Sequence, residues 1–262
     1  MQLLRLPQGS LQFTSRKGYY CGYLITVSGE VSHAPPQVAR LDAVSYPNGD
    51  LCDQLMHVGA EAVRSGLVVG SGGNLSARAP GADRCWITAA GSWLDRLAPA
   101  EFSLIGISDG ELLSGHPHPS SEWRLHTQTY LRRPDVNAIV HLHPQTSVLL
   151  TALGHDIALI TTDHAYYLRE IATLRFEPPG SVELATAAAE AVAEGINALI
   201  LGHHGCSVLA DSVELAHKRA VNLEEAARTT YSALLLTHGQ PTRVPPVPPR
   251  FLQAVGRNEA QV

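Results

Sequence analysis

The sequence predicts an α+β protein in which a mixed sheet is sandwiched by helices, and three observations carry that expectation. Short apolar runs come in pairs ahead of each helical stretch, not in strict strand–helix alternation. Four stretches read as helices, the first through apolar residues at helical spacing, and each has a start or stop signal. The composition, 45% hydrophobic and 16% charged over 262 residues, belongs to a globular chain with a sizeable core.

Residues 1–49 read as an N-terminal extension, a hairpin or an arm. The run Tyr19-Tyr20-Cys21-Gly22-Tyr23-Leu24-Ile25-Thr26-Val27 has strand composition, with Ser28-Gly29 to close a turn. The main domain spans 50–239. It opens on a helix in which Leu51, Leu55, Val58, Ala62 and Val63 share a face, with Asp50 as N-cap and Gly66 as the stop. A glycine-rich turn, Gly70-Ser71-Gly72-Gly73-Asn74, leads into a strand at 75–78, and further strands are expected at 85–88 and 102–107. Pro119-Ser120-Ser121-Glu122 opens a helix that Pro134 ends. A strand follows at 138–143, then an alanine-rich helix over 181–195 and a short buried strand at 198–201. The last long helix is expected from Asp211, with Glu214 three residues on as in a capping box, to about Leu236. Beyond it, residues 240–262 form a proline-rich extended tail.

Composition narrows the partner class. The net charge is −5, and Lys17 and Lys218 are the two lysines. No basic stripe exists for nucleic acid or an anionic membrane, so a small molecule is the expected partner. No apolar run approaches the roughly 18 residues of a membrane span, and the start lacks a signal-peptide core. The four cysteines are scattered without a C-x-x-C pair, which reads as free thiols in a cytoplasmic protein.

Four motifs carry chemistry. In His141-Leu142-His143 the two imidazoles lie two apart on a strand, so they project from one face at its end and form half of a divalent-metal site. His203-His204-Gly205 closes another apolar strand, and one of its two histidines can face the first pair. Pro119-Ser120-Ser121-Glu122 offers free N–H groups and hydroxyls to an anion, with Glu122 placed to ligate metal or move a proton. Gly72-Gly73-Asn74 lets backbone approach a ligand, and the Asn amide can donate to an anion. Each has a plain counterpart as well: a structural strand pair, turn histidines, a helix cap and a simple turn. Among the remaining polar residues, His116 and His118 read as loop histidines before the anion loop. His126, one turn after Glu122, is placed either to orient it or to line a helix face. Asp163, His164, Tyr166 and Tyr167 are candidates for a substrate-specific acid or an aromatic interface loop.

Taken in order, these motifs resemble the class II aldolase/adducin family over about residues 50–237. The match rests on Gly73-Asn74-Leu75-Ser76-Ala77-Arg78, Ile87-Thr88-Ala89-Ala90-Gly91, Pro119 to His126, Arg133 to His143 and Leu201 to Gly205. The resemblance implies a three-layer α/β/α fold with a mostly antiparallel central sheet, and a homotetramer with active sites between subunits. It also implies a divalent metal on Glu122, His141, His143 and His204: zinc first, with Fe(II) or manganese as alternatives. Glu122 would leave the metal to act as acid and base, and Asn74, Gly91, Ser120 and Ser121 would hold a substrate anion.

Two departures bear on the substrate. Ala90 stands where sugar-phosphate aldolases carry Thr, and Thr162 aligns with a proton-donating tyrosine, leaving Tyr166 and Tyr167 as catalytic candidates and His164 as a substrate contact. The expected activity is metal-dependent cleavage of a C–C bond, by retro-aldol reaction or decarboxylation, in a small hydroxy- or oxo-acid or sugar derivative. Two alternatives keep the fold: a non-haem Fe(II) oxygenase or decarboxylase on an aromatic acid, and a non-catalytic adducin-like interaction domain.

Overall fold

A computed structural model describes residues 49–240, 246–248, 250, 251 and 253. The hairpin or arm expected before residue 49 and most of the proline-rich tail lie outside the described residues.

The first helix, α1 (Leu51–Arg64), starts on reciprocal caps: the Asp50 carboxylate accepts from the Asp53 amide at 3.0 Å, and Asp53 accepts from the Asp50 amide at 3.2 Å. Four antiparallel strands follow, β1 (Asn74–Ala77), β2 (Arg84–Thr88), β3 (Phe102–Gly106) and β4 (Leu112–Gly115). Then come α2 (Trp123–Arg132), β5 (Ala138–Leu142), α3 (Gln145–Ala152), α4 (Thr162–Leu168) and β6 (Ile171–Leu174). The chain continues through α5 (Val182–Ala191), β7 (Ala198–Leu201), β8 (Gly205–Ala210) and α6 (Val213–Leu236). The eight strands form one sheet ordered β4-β3-β2-β1-β5-β8-β7-β6, antiparallel throughout except for the parallel β6–β7 pair.

Side-chain alternation along the strands divides the core into two layers. On one face Leu75, Val140, Leu142 and Val208 pack with Leu55 and Val58 of α1 and Ala216 and Leu223 of α6. On the other, Ile87, Ile139, Leu199 and Leu209 pack with Leu125 and Tyr130 of α2 and Leu184 and Ala188 of α5. Each such buried Val, Leu or Ile contributes about 1.5–3 kcal/mol, so this double layer is what holds the sheet between the helices. The three-layer α/β/α fold with a mostly antiparallel sheet is therefore present as expected.

Boundaries differ in two places that matter. The expected start of the last helix at Asp211 moves two residues on: Ser212 is the N-cap, accepting from the Leu215 amide at 3.4 Å. At α2 the helix proper begins at Trp123, and Glu122 occupies the N-cap position without capping it through its side chain. Its carboxylate is thereby free for other partners.

Candidate metal centre

Strand alternation places Ala138, Val140 and Leu142 in the α1/α6 layer, which leaves Ile139, His141 and His143 on the α2/α5 face. His141 is fully buried, and its Nδ1 donates to the Cys206 carbonyl at 2.9 Å across the β5–β8 ladder. That bond holds the ring in place, so Nε2 points away from the sheet. His143 Nε2 lies 3.2 Å from His141 Nε2. Two ring nitrogens this close cannot both point protons at each other, so at least one of them presents a lone pair to the space between them.

The third histidine comes from the β7–β8 turn. His203 adopts a left-handed backbone, φ 57°, and is exposed, while His204 turns inward with its amide bonded to the Leu201 carbonyl at 3.0 Å. The expectation that one histidine of this pair faces His141 is met by His204: the two rings lie 4.8 Å apart, and His204 lies 4.9 Å from the His143 ring. Glu122 closes the set, with Oε2 3.0 Å from His141 Nε2 and Oε1 3.5 Å from His204 Nε2. The donor atoms of Glu122, His141, His143 and His204 all lie within 4.8 Å of one another.

Several features fit this quartet to a divalent cation. Ligands held at 2.0–2.2 Å in a tetrahedron sit about 3.4 Å apart, and the spacings of 3.0, 3.2 and 3.5 Å bracket that value. Glu122 Oε1 is buried with no hydrogen-bond partner, a costly state that a cation relieves. Burial works against the charge of Glu122, but the hydrogen bond and charge of His141, the charge of His204 and the Asn74 amide outweigh it and pull the carboxyl down to about 2. Burial, followed by the neighbouring His141, pushes His143 and His204 down to about 4. An anionic carboxylate and neutral imidazoles are the protonation states that ligate metal.

Backbone surrounds the cluster closely. A Cβ added at Gly72 would lie 2.9 Å from His143 Nδ1, and one at Gly73, whose φ is 79°, would run into the His141 carbonyl. A Cβ on Gly205 would collide with the Leu142 carbonyl. After His143, Pro144 leads into α3, and α3 has no side-chain cap of its own. Instead the buried Glu224 of α6 accepts from the Thr146 and Ser147 amides at 3.1 and 3.0 Å and from the Ser147 hydroxyl at 2.9 Å. This carboxylate satisfies open N–H groups of α3 and fixes the chain three residues beyond His143.

The anion-binding candidates fall around the same strand ends. Asn74 pairs with His141 across the β1–β5 ladder, and its Nδ2 donates to Glu122 Oε2 at 2.9 Å. The turn after β2 is tied to the loop before α2: the Ala90 amide donates to the His118 carbonyl at 3.0 Å, and the Ser120 amide to Thr88 at 3.0 Å. Gly91, with φ 75° and open space where a Cβ would stand, and the exposed Ser121 thus share one rim. Ser120 is buried, its hydroxyl accepting from the Glu122 amide at 3.2 Å. His116 and His118 stay in that loop, ring centroids 5.9 Å apart.

The 160–170 candidates stand elsewhere. Helix α4 packs against α6, and its Leu168 joins the α1/α6 layer, on the face of the sheet away from Glu122. His164 is buried and completes a capping box with Thr161. Tyr166 and Tyr167 form an edge-to-face pair at 5.0 Å, with Tyr166 exposed. None of the three joins the Glu122 cluster within its own chain. Sequence reasoning missed Ser76, Tyr130 and Glu224, whose roles depend on partners far away in the chain; His126 had been noticed only through its spacing from Glu122.

The cysteines Cys52, Cys85 and Cys206 are buried free thiols, and no helix among the described residues is long and apolar enough to cross a membrane. Comparison with known proteins agrees with the geometry. Residues 53–231 match the model of the Class II Aldolase and Adducin N-terminal domain. An L-fuculose phosphate aldolase of Methanocaldococcus jannaschii is 32% identical over 169 residues, covering 64% of this chain and 89% of the relative. A 3-oxo-tetronate 4-phosphate decarboxylase of Escherichia coli is 30% identical over 186 residues, 69% of this chain and 86% of the relative. The crystal structure of L-fuculose-1-phosphate aldolase from Thermus thermophilus superposes with a TM-score of 0.64 at 25% identity, covering 72% of this chain and 96% of that one. With a match this long, and with one carboxylate and three imidazoles converging where its motifs place them, the chain belongs to the class II aldolase/adducin family.

Proposed function

We propose that this protein is a divalent-metal lyase that breaks a C–C bond, by retro-aldol cleavage or decarboxylation, in a small hydroxy- or oxo-acid or sugar-derived substrate. The observation that carries the reading is the convergence of Glu122, His141, His143 and His204 within 4.8 Å. Glu122, His141, His143 and His204 would hold the cation, zinc being the best match to three imidazoles and a carboxylate, and it would supply Lewis acidity to the substrate's oxygens. Relatives named as an aldolase and as a decarboxylase support a common anionic intermediate with two ways of reaching it.

The chain's own groups do the rest. Glu122 holds Oε2 on the Asn74 amide and leaves Oε1 without a hydrogen bond, so Oε1 is the oxygen that exchanges a proton with substrate. Asn74, Gly91, Ser120 and Ser121 form the anion rim. Ala90 removes one hydroxyl from it, which suits a carboxylate as well as a phosphate. Tyr166, Tyr167 and His164 stand away from the centre of their own chain, a placement that suits an oligomer, the tetramer of the family resemblance, with each centre lying between subunits.

Elemental analysis of the purified protein, followed by a cleavage screen over hydroxyacids, oxo-acids and sugar phosphates, tests the reading. Stoichiometric zinc with release of an aldehyde or carbon dioxide is expected. Bound iron with oxygen consumption in place of C–C cleavage overturns it. Light scattering checks the oligomer, and a monomer that turns over substrate rules out a shared centre.

A further inference from the structure

Behind Glu122 runs a buried line of polar groups that the metal quartet does not include. Asn74 Nδ2 meets Glu122 Oε2 at 2.9 Å, and Asn74 Oδ1 meets His126 Nε2 at 2.5 Å. His126 Nδ1 meets Ser76 Oγ at 2.6 Å, and Ser76 Oγ meets the Tyr130 hydroxyl at 2.8 Å. His126 and Ser76 are fully buried, so no solvent competes for these bonds.

The chemistry of the end group sets the direction of every link. A carboxylate only accepts, so Asn74 must present its NH2 group to Glu122 and its carbonyl to His126. His126 Nε2 therefore carries the proton. A neutral imidazole has one N–H, so Nδ1 accepts from the Ser76 hydroxyl, which in turn accepts from Tyr130. Burial, followed by the His141 charge, pushes His126 down to about 3, so it is neutral at physiological pH. All donors thus point towards Glu122.

We propose that His126, backed by Ser76 and Tyr130, is a positioning residue that locks the Asn74 amide so that Nδ2 always faces Glu122 and the substrate. Nδ2 has two hydrogens and Glu122 takes one; the second is held ready for an acceptor oxygen of the substrate. Without His126 the amide can rotate, and Oδ1 would then meet the same anionic groups repulsively. Helical spacing supplies the line: Glu122, His126 and Tyr130 lie four apart along α2, while Asn74 and Ser76 lie two apart on β1. One helix face is thereby laced to one strand face.

The substrate half of this inference rests on the proposed lyase function; the locked amide does not. Long-range proton–nitrogen NMR on the full chain, metal-free and zinc-loaded, tests the lock directly. One non-titrating imidazole in the Nε2–H form is expected between pH 6 and 9 (values chosen to span the usual histidine range, about 6.5), with its signal absent in His126→Gln. Zinc affinity, by competition with a chromophoric chelator, gives the second measure. His126→Leu, which cannot donate to Asn74, is expected to bind zinc about 10-fold or more weaker. His126→Gln, whose amide can donate, should stay within about threefold of the parent by the same reasoning. An Nδ1–H or doubly protonated His126, or unchanged zinc affinity in His126→Leu, overturns the proposal. A parent protein that binds no zinc sinks the metal reading, and the NMR result then decides the lock alone.

Discussion

The two faces of β5 carry opposite kinds of side chain at its C-terminal end. One face sends Ala138, Val140 and Leu142 into an apolar layer against α1 and α6; the other carries Ile139 and then His141 and His143. Strand pleating alone separates a core from a reaction centre over a side chain's length. The apolar face holds the strand in place, and the polar face can then keep uncompensated lone pairs pointed at one spot. Packing and the candidate site here draw on alternate residues of one strand and the residue just after it.

The largest expected effect breaks the apolar face. Val140→Asp places an unpaired charge in a fully buried site, and the protein is expected to fail to fold, read as loss of a cooperative melting transition. Leu142→Ala on the same face should cost about 2–5 kcal/mol, measured by urea denaturation, while zinc is still bound. His141→Ala is expected to have the opposite profile: bound zinc falls below detection, yet the metal-free protein melts within a few degrees of its parent. Were both substitutions to lower stability equally, the division between faces would be wrong.

Two smaller effects sharpen the comparison. Glu224→Gln weakens the hold on the start of α3 and should cost about 1–3 kcal/mol, together with a modest loss of zinc affinity through His143. The thiols test burial on either side of the sheet. Burial pushes Cys85 on one face and Cys206 on the other up to about 12. A raised thiol pKa contributes stability below the unfolded value near 8.5 that is lost as pH rises towards 12. Both thiols should therefore resist alkylation at pH 8.5 in the folded protein and react at once in urea, by mass spectrometry of the modified peptides.

How far the sequence could be read follows from how local each signal was. Helices α1 and α5 announced themselves through Asp50 and Ser181, whose side chains cap their own helices. Helix α3 escaped because its cap is Glu224, 77 residues away from Ser147. Helix α4 escaped because its capping box uses His164 where Glu or Gln is the usual third-position residue. The convergence of His141, His143 and His204 was legible because H-x-H on a strand and a histidine at a strand end carry their geometry with them. Ser76 and Tyr130 were not, since only the β1–β5 register and the packing of α2 bring them to His126.

The glycines around the centre have a consequence for how such a protein acquires new chemistry. Gly73 and Gly205 press bare backbone against the His141 and Leu142 carbonyls, where an added Cβ would collide, and a Cβ on Gly72 would crowd the His143 ring. The floor of the site is therefore written in main chain and is closed to variation. Change has more room at the rim, where Gly91 faces open space and Ser121 is exposed. A lineage of enzymes built this way inherits its metal and renegotiates its substrate, one loop residue at a time.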